Sequence, residues 1–295
     1  NSFSSNILNS SATGNVNGTD NIGGLVGYLS SSNISNSYSK VNISGNNSIG
    51  GLVGYLSSSN ILNSSATGNV NGSIRVGGLV GYINKGNISN SSATGIVNGL
   101  YQIGGLVGDS SFSNILNSSA TGNVNGTNGI GGLVGISFSS SPFSSNILNS
   151  SATGNVNGTN NIGGLVGYLW SSNISNSYSK GNISGNDSIG GLVGNSLSSK
   201  ILNSYSTGNV NGINYVGGLF GDGFSSSKIL NSYSTGNVNG TFYMGGLAGR
   251  ISSSTYISNS YWNNHSGNPD NCYPNGNTGC VAIQNNITYF QGDVY

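Results

Sequence analysis

Six aspartates, no glutamate and a single histidine make up the acid–base chemistry that this 295-residue sequence carries. Cleavage of a glycosidic bond needs two carboxyl groups roughly 5–10 Å apart. Asp20 and Asp187 fall at one point of an internal repeat but six repeats apart, and Asp109 and Asp222 share a second point four repeats apart. Asp187 and Asp222 lie in adjacent repeats at different points of the unit, and His265 follows the last repeat. No acid and base converge, so an enzyme is not expected and no catalytic residue or cofactor is assigned.

Other chemistries fail on spacing. Gly104-Gly105-Leu106-Val107-Gly108-Asp109 has the outline of a calcium-binding Gly-Asp turn, yet most equivalent stretches are not followed by Asp, so no metal site is expected. The same glycines have no strand-to-helix context for cradling a phosphate. Charged residues are 4% of the chain and the net charge is +1, too little to neutralise the phosphates of a nucleic acid. No apolar run is long enough to span a membrane. The sequence begins at Asn1 with neither Met nor a leader pattern, which reads as a start removed or not included.

Modification chemistry is more promising. Asn-x-Ser/Thr sequons at Asn17, Asn71, Asn125, Asn157 and Asn239 fall at an outward turn position, and those at Asn46 and Asn186 fall in a variable loop; all seven are glycosylation candidates. Cys272 and Cys280 flank a Pro-Asn-Gly turn and are expected to form a disulfide, which with the sequons points to an oxidising, extracellular or cell-surface location.

The elements that must carry these residues are repeats. Gly-Gly-Leu recurs nine times, beginning at Gly23, Gly50, Gly77, Gly104, Gly131, Gly163, Gly190, Gly217 and Gly245, mostly 27 residues apart and followed in most copies by Val-Gly. A second block alternates with it, marked by Asn9, Asn36, Asn63, Asn90, Asn117, Asn149, Asn176, Asn203, Asn231 and Asn259. Such a unit is too regular for disorder and must stack on its neighbours to bury anything. The repeated Gly-Gly-Leu-Val-Gly, preceded by Ile or Val, resembles the GLUG motif of bacterial and archaeal surface proteins, over roughly residues 6–262. That resemblance implies a secreted, adhesin-like or wall-anchored scaffold and brings no catalytic residues with it.

Ile stands two places before every block Asn, and Val or Ile stands seven places after the first nine; with the residue before each Gly-Gly and the marker Leu, these give four apolar columns. Alternation along a strand turns the Ser at plus one and the Ala or Ser at plus three inward. The Ser or Tyr at plus two and the Thr or Lys at plus four then face solvent as a hydrated β-surface. The ten Asn sit at a corner, where an amide ladder would satisfy the turn's backbone, so Asn9 and equivalents such as Asn63 are expected to stay unmodified although they read as sequons. About three short strands per coil give an all-β, parallel β-solenoid (β-helix) of about nine to ten coils, 27 residues per coil, with a C-terminal cap.

Residues 6–54 match 146–194 at all but four positions, so two modules related by 140 residues are expected within 1–262, with an insertion near 137–145. Residues 263–295 form the expected cap and tail, including an apolar stretch from Ile287 to Phe290. The functional expectation is a structural module of a microbial surface fibre, filament, sheath or stalk. An adhesin binding glycans through its Tyr, Asn and Thr face is the alternative, and a polysaccharide-active enzyme stands third. Self-association or continuation into further repeats, head to tail, would cover the open first coil.

Overall fold

The computed structural model describes residues 2–140, 144–264 and 267–283. His265, Pro142 and the stretch from Ile287 to Phe290 lie outside them. The described residues contain strands and no helix, arranged as a parallel β-solenoid of about nine turns. Five sheets of 10, 9, 10, 11 and 9 strands run its length, and each strand pairs with its counterpart one coil away. In the second coil these strands are Asn33–Ser35, Tyr38–Ser39, Asn42–Ser44, Asn47–Gly50 and Val53–Ser57, one from each of what we call the first to fifth sheets. Five strands per coil replace the three expected. The variable loop expected at Asn46 and Asn186 is short, since the residues after them already belong to the strands Asn47–Gly50 and Asp187–Gly190.

Backbone strain explains the miscount. Three points of each regular coil adopt a left-handed conformation: the block Asn (Asn36, φ 51), the residue twelve places on (Ser48, φ 57) and the last residue before the coil closes (Ser58, φ 47). Only the first carries a residue type that announces it. At the second, Arg75, Gln102 and Tyr215 are held at φ 55, 60 and 50, imposed by the coils above and below.

Those coils also account for the marker glycines. A Cβ on Gly54, the third glycine of its marker, would lie 2.5 Å from the carbonyl carbon of Asn21, the left-handed residue of the preceding coil. A Cβ on Gly51, the second, would lie 2.7 Å from the Ala66 methyl. Gly51 and Ala66 therefore meet across the interior and pinch it into two lobes. One lobe buries Ile34, Leu52, Val53, Leu56 and their equivalents. The other buries Ile43, Ile49, Val70, Val76 and theirs. All four expected columns are present, each fully buried Ile, Leu or Val contributing about 1.5–3 kcal/mol.

Buried serines finish the interior. Ser37 Oγ donates to the Ser35 carbonyl at 2.9 Å and accepts the N–H of Ser10 at 3.1 Å; Ser64 does the same for Leu62 and Ser37. A second serine row one corner earlier repeats this, with Ser59 accepting from Ser32 at 3.0 Å. Each hydroxyl thus supplies a corner with one donor and one acceptor, and the corner can be buried without an orphaned polar group.

The insertion leaves this register intact. Asn114 pairs with Asn146 and Ser119 with Ser151 across it, the extra residues lying between Val134–Phe138 and Asn146–Leu148. At the far end Trp262 replaces the small residue of the waist and is buried, its Nε1 donating to the Pro269 carbonyl at 3.1 Å. Cys272 and Cys280 are joined in a disulfide, and Cys280–Ile283 adds a parallel strand beside Ser260–Asn263.

Candidate functional surfaces

The ten block asparagines all occupy their corner, with φ between 46 and 51. Their amides form a ladder, as in Asn63 Nδ2 to Asn36 Oδ1 at 3.3 Å, Asn149 to Asn117 at 3.1 Å, and Asn203 to Asn176 and Asn231 to Asn203 at 3.2 Å. The ladder does not satisfy the turn's backbone, contrary to expectation. The N–H of Asn36 donates to the Leu62 carbonyl of the next coil, and the neighbouring serine hydroxyls serve the rest of the corner. The amides point outward and bond to one another.

Sequence reasoning missed two further ladders. Asn6, Asn33, Asn60, Asn87, Asn114, Asn146 and Asn173 bond amide to amide at 2.8–3.1 Å through seven successive coils. Six places after the block Asn, Asn42, Asn69, Asn123 and Asn155 instead accept a backbone N–H from the next coil at 2.9 Å. The signal was present in the sequence, for Asn fills seven of the ten places in the first column and eight of the first nine in the second.

Glycosylation candidates divide in two. Asn71, Asn125, Asn157 and Asn239 lie in another amide ladder: Asn98 donates to Asn71 at 2.8 Å, Asn125 to Asn98 at 2.9 Å, Asn157 to Asn125 at 3.2 Å and Asn239 to Asn211 at 3.1 Å. The side-chain nitrogens of Asn125, Asn157 and Asn239 are therefore already donors within the protein. Asn17, Asn46 and Asn186 are exposed, as Asn71, Asn157 and Asn239 also are, and Asn46 and Asn186 stand at the entrance to the fourth sheet.

Aromatic columns follow the same logic. Tyr178, Tyr205 and Tyr233 stack at 5.0 and 4.9 Å with ring planes within 7°, and burial pushes the Tyr233 phenol up to about 12. Tyr55 and Tyr82 stack at 4.8 Å in the fifth sheet. Lys40 and Lys180 each extend over the tyrosine two residues before them, at 5.4 and 5.0 Å.

Two of the acids, Asp109 and Asp222, are held in ion pairs. Arg75 lies 3.4 Å from Asp109 and 4.5 Å above the Tyr82 ring. Arg250 makes two hydrogen bonds to Asp222, one from Nε at 2.8 Å, and stacks 4.0 Å over Tyr215. Burial pushes the Asp109 carboxyl up to about 6, with Arg75 opposing it. Asp222 is raised too, by burial first and by the charge of Asp187, with Arg250 opposing. The sequence separated Asp187 from Asp222, whereas folding brings the fourth and fifth sheets side by side so that the two interact. Asp187 also accepts a hydrogen bond from Ser188 at 2.8 Å. Among the described residues no three His, Cys, Asp or Glu side chains come together, and no helix is long and apolar enough to cross a membrane.

A stack of identical coils tied together by side-chain ladders defines the class: a structural tandem-repeat solenoid. Comparison with protein-family models finds the GLUG motif at residues 18–44, 45–71, 72–98, 99–125, 158–184 and 185–211, more than half of the chain, and the protein belongs to the GLUG-motif family. Comparisons with curated proteins and with solved structures gave no match.

Proposed function

We propose that this solenoid is a non-enzymatic, extracellular structural module, a length of stalk, sheath or fibre on a microbial surface that carries N-linked glycans. The observation that carries the reading is the continuity of the ladders. Asn and Ser columns pass from coil to coil and bridge the insertion without a change of register, as Asn146 to Asn114 and Ser113 to Ser145 illustrate. A rod so built gains stability with each coil added, because every coil repeats the same contacts with its neighbour. Asp109 and Asp222 are each held by an arginine, which supports a scaffold over a hydrolase. The Cys272–Cys280 bond fits an oxidising compartment.

Antibody labelling of intact cells, paired with mass spectrometry of the native protein, tests this. Labelling without permeabilisation and hexose-bearing peptides covering Asn46 or Asn186 are expected. Labelling only after lysis would overturn the reading.

Exposed Trp170 favours a second reading, an adhesin. The Tyr178, Tyr205 and Tyr233 rings turn their faces to one another, leaving edges for a ligand, whereas Trp170 is 41% exposed at the end of an edge-to-face row with Phe138. Glycan-array binding abolished by Trp170→Ala would establish that role, and an array without signal would remove it.

A further inference from the structure

The triplet at the entrance to the fourth sheet varies from coil to coil, and its chemistry is not random along the stack. At 19–21, 46–48, 127–129, 159–161 and 186–188 it carries no apolar side chain. In the other four coils it holds large apolar side chains in solvent: Ile74, Leu100 and Tyr101 in the two coils after Asn46, and Ile213, Phe242 and Tyr243 in the two coils after Asn186, all 38–57% exposed.

Both patches therefore begin one coil beyond an exposed sequon. The Asn46 carbonyl accepts the N–H groups of Ser73 and Ile74, and the Ser73 carbonyl accepts those of Leu100 and Tyr101, at 2.9–3.0 Å. Asn186 stands in the same relation to Ile213 and Asn214, and Ile213 to Thr241 and Phe242, at 2.8–3.1 Å. Asn46 and Asn186 are equivalent residues of the stretch 6–54 that recurs as 146–194, but the patches are not copies. Place for place, Ser73-Ile74-Arg75 answers to Ile213-Asn214-Tyr215, and Leu100-Tyr101-Gln102 to Thr241-Phe242-Tyr243. The two modules share the apolar character of the patch without sharing its residues.

Exposed apolar side chains gathered in this way call for a cover. A pyranose ring can supply one, because its C–H groups form an apolar face that packs on an aromatic ring or aliphatic side chain while its hydroxyls stay in water. Two coils span about 10 Å, within reach of the first two rings of a glycan attached at the sequon. Column neighbours of the two asparagines are Thr19 and Ser73, and Thr159 and Ile213. No amide ladder thus holds their side-chain nitrogens, as it holds those of Asn125, Asn157 and Asn239.

We propose that an N-linked glycan on Asn46 lies along the stack over Ile74, Leu100 and Tyr101, and that one on Asn186 lies over Ile213, Phe242 and Tyr243. The inference rests on the reading that the protein carries N-linked glycans, and adds where they are seated. Each module then presents sugar in place of an apolar edge.

Hydroxyl-radical footprinting of the protein purified from its own cells tests this, with Tyr38 in the second sheet and Tyr256 in the first as exposed standards. Asn46→Gln should speed oxidation of Leu100 and Tyr101 about threefold and leave Phe242 and Tyr243 unchanged, and Asn186→Gln should do the reverse. In each variant the untouched patch shows that the solenoid has folded. Peptide masses from the same samples report whether a glycan is attached. Unmodified Asn46 and Asn186 would overturn this inference together with the glycan part of the scaffold reading, whereas modified asparagines with unchanged footprints would overturn this inference alone. Protection in the double variant that grows with protein concentration would also overturn it, by showing that a second copy covers the patches.

Discussion

Asp109 is the residue whose setting conflicts most with its chemistry. Burial lifts its carboxyl to about 6 from an ordinary value of 3.8, so the folded protein holds the proton more tightly than the unfolded chain does. The sign follows: the stabilisation from protonation is complete below the unfolded value and is lost as pH rises through about 6. Asp109→Asn should therefore gain on the parent by roughly 3 kcal/mol between acidic and neutral pH, most of it between about pH 4 and 6. Urea unfolding of both proteins across that range checks it, and a difference independent of pH would refute it. Glycine makes the opposite kind of demand. A Cβ on Gly81 would lie 2.5 Å from Ser48 C and Ile49 N, backbone atoms that cannot give way. We expect Gly81→Ala to cost about 2–4 kcal/mol, read as a fall in the denaturation midpoint.

Each element here is a column rather than a strand, for strands of two to five residues have no independent stability. Columns differ in worth according to their depth. The Ser64 hydroxyl accepts the buried N–H of Ser37 at 3.2 Å and donates to the Leu62 carbonyl at 2.8 Å. Asn60 and Asn33 share an exposed bond of 2.9 Å, for which water can substitute. Ser64→Ala should accordingly cost about 1–3 kcal/mol and Asn60→Ala less than about 1 kcal/mol. Parallel thermal melts decide the matter, and a larger loss from Asn60→Ala would place the stabilising ladder outside instead of inside.

At the scale of the molecule, stability is shared between neighbours, and position along the stack matters as much as residue type. Ile115 is fully buried between two coils, whereas Ile7 has a neighbour on one side. Placing an amide in the closed core costs roughly 2–5 kcal/mol, so Ile115→Asn should depress the melting temperature well beyond Ile7→Asn. Equal losses would contradict a core built by stacking.

The period of 27, the four apolar columns, the corner asparagines and the cysteine pairing were all legible in the sequence, because each rests on a residue type whose preference is local or on a spacing that recurs. The GLUG glycines were visible as a signature, but not their reasons. Gly51 answers to Ala66 across the waist and Gly54 to a strained peptide one coil below, and both contacts exist only after stacking. Tertiary structure alone held Arg75 and Tyr215 at positive φ, split the coil into five strands and divided the core into two lobes. It also assigned the corner's backbone to Ser37 and its equivalents instead of to the asparagine beside it. The physical reason is the same throughout: a coil of this length buries little by itself, so the conformation of each residue is decided by copies of itself one coil away, which sequence order does not display.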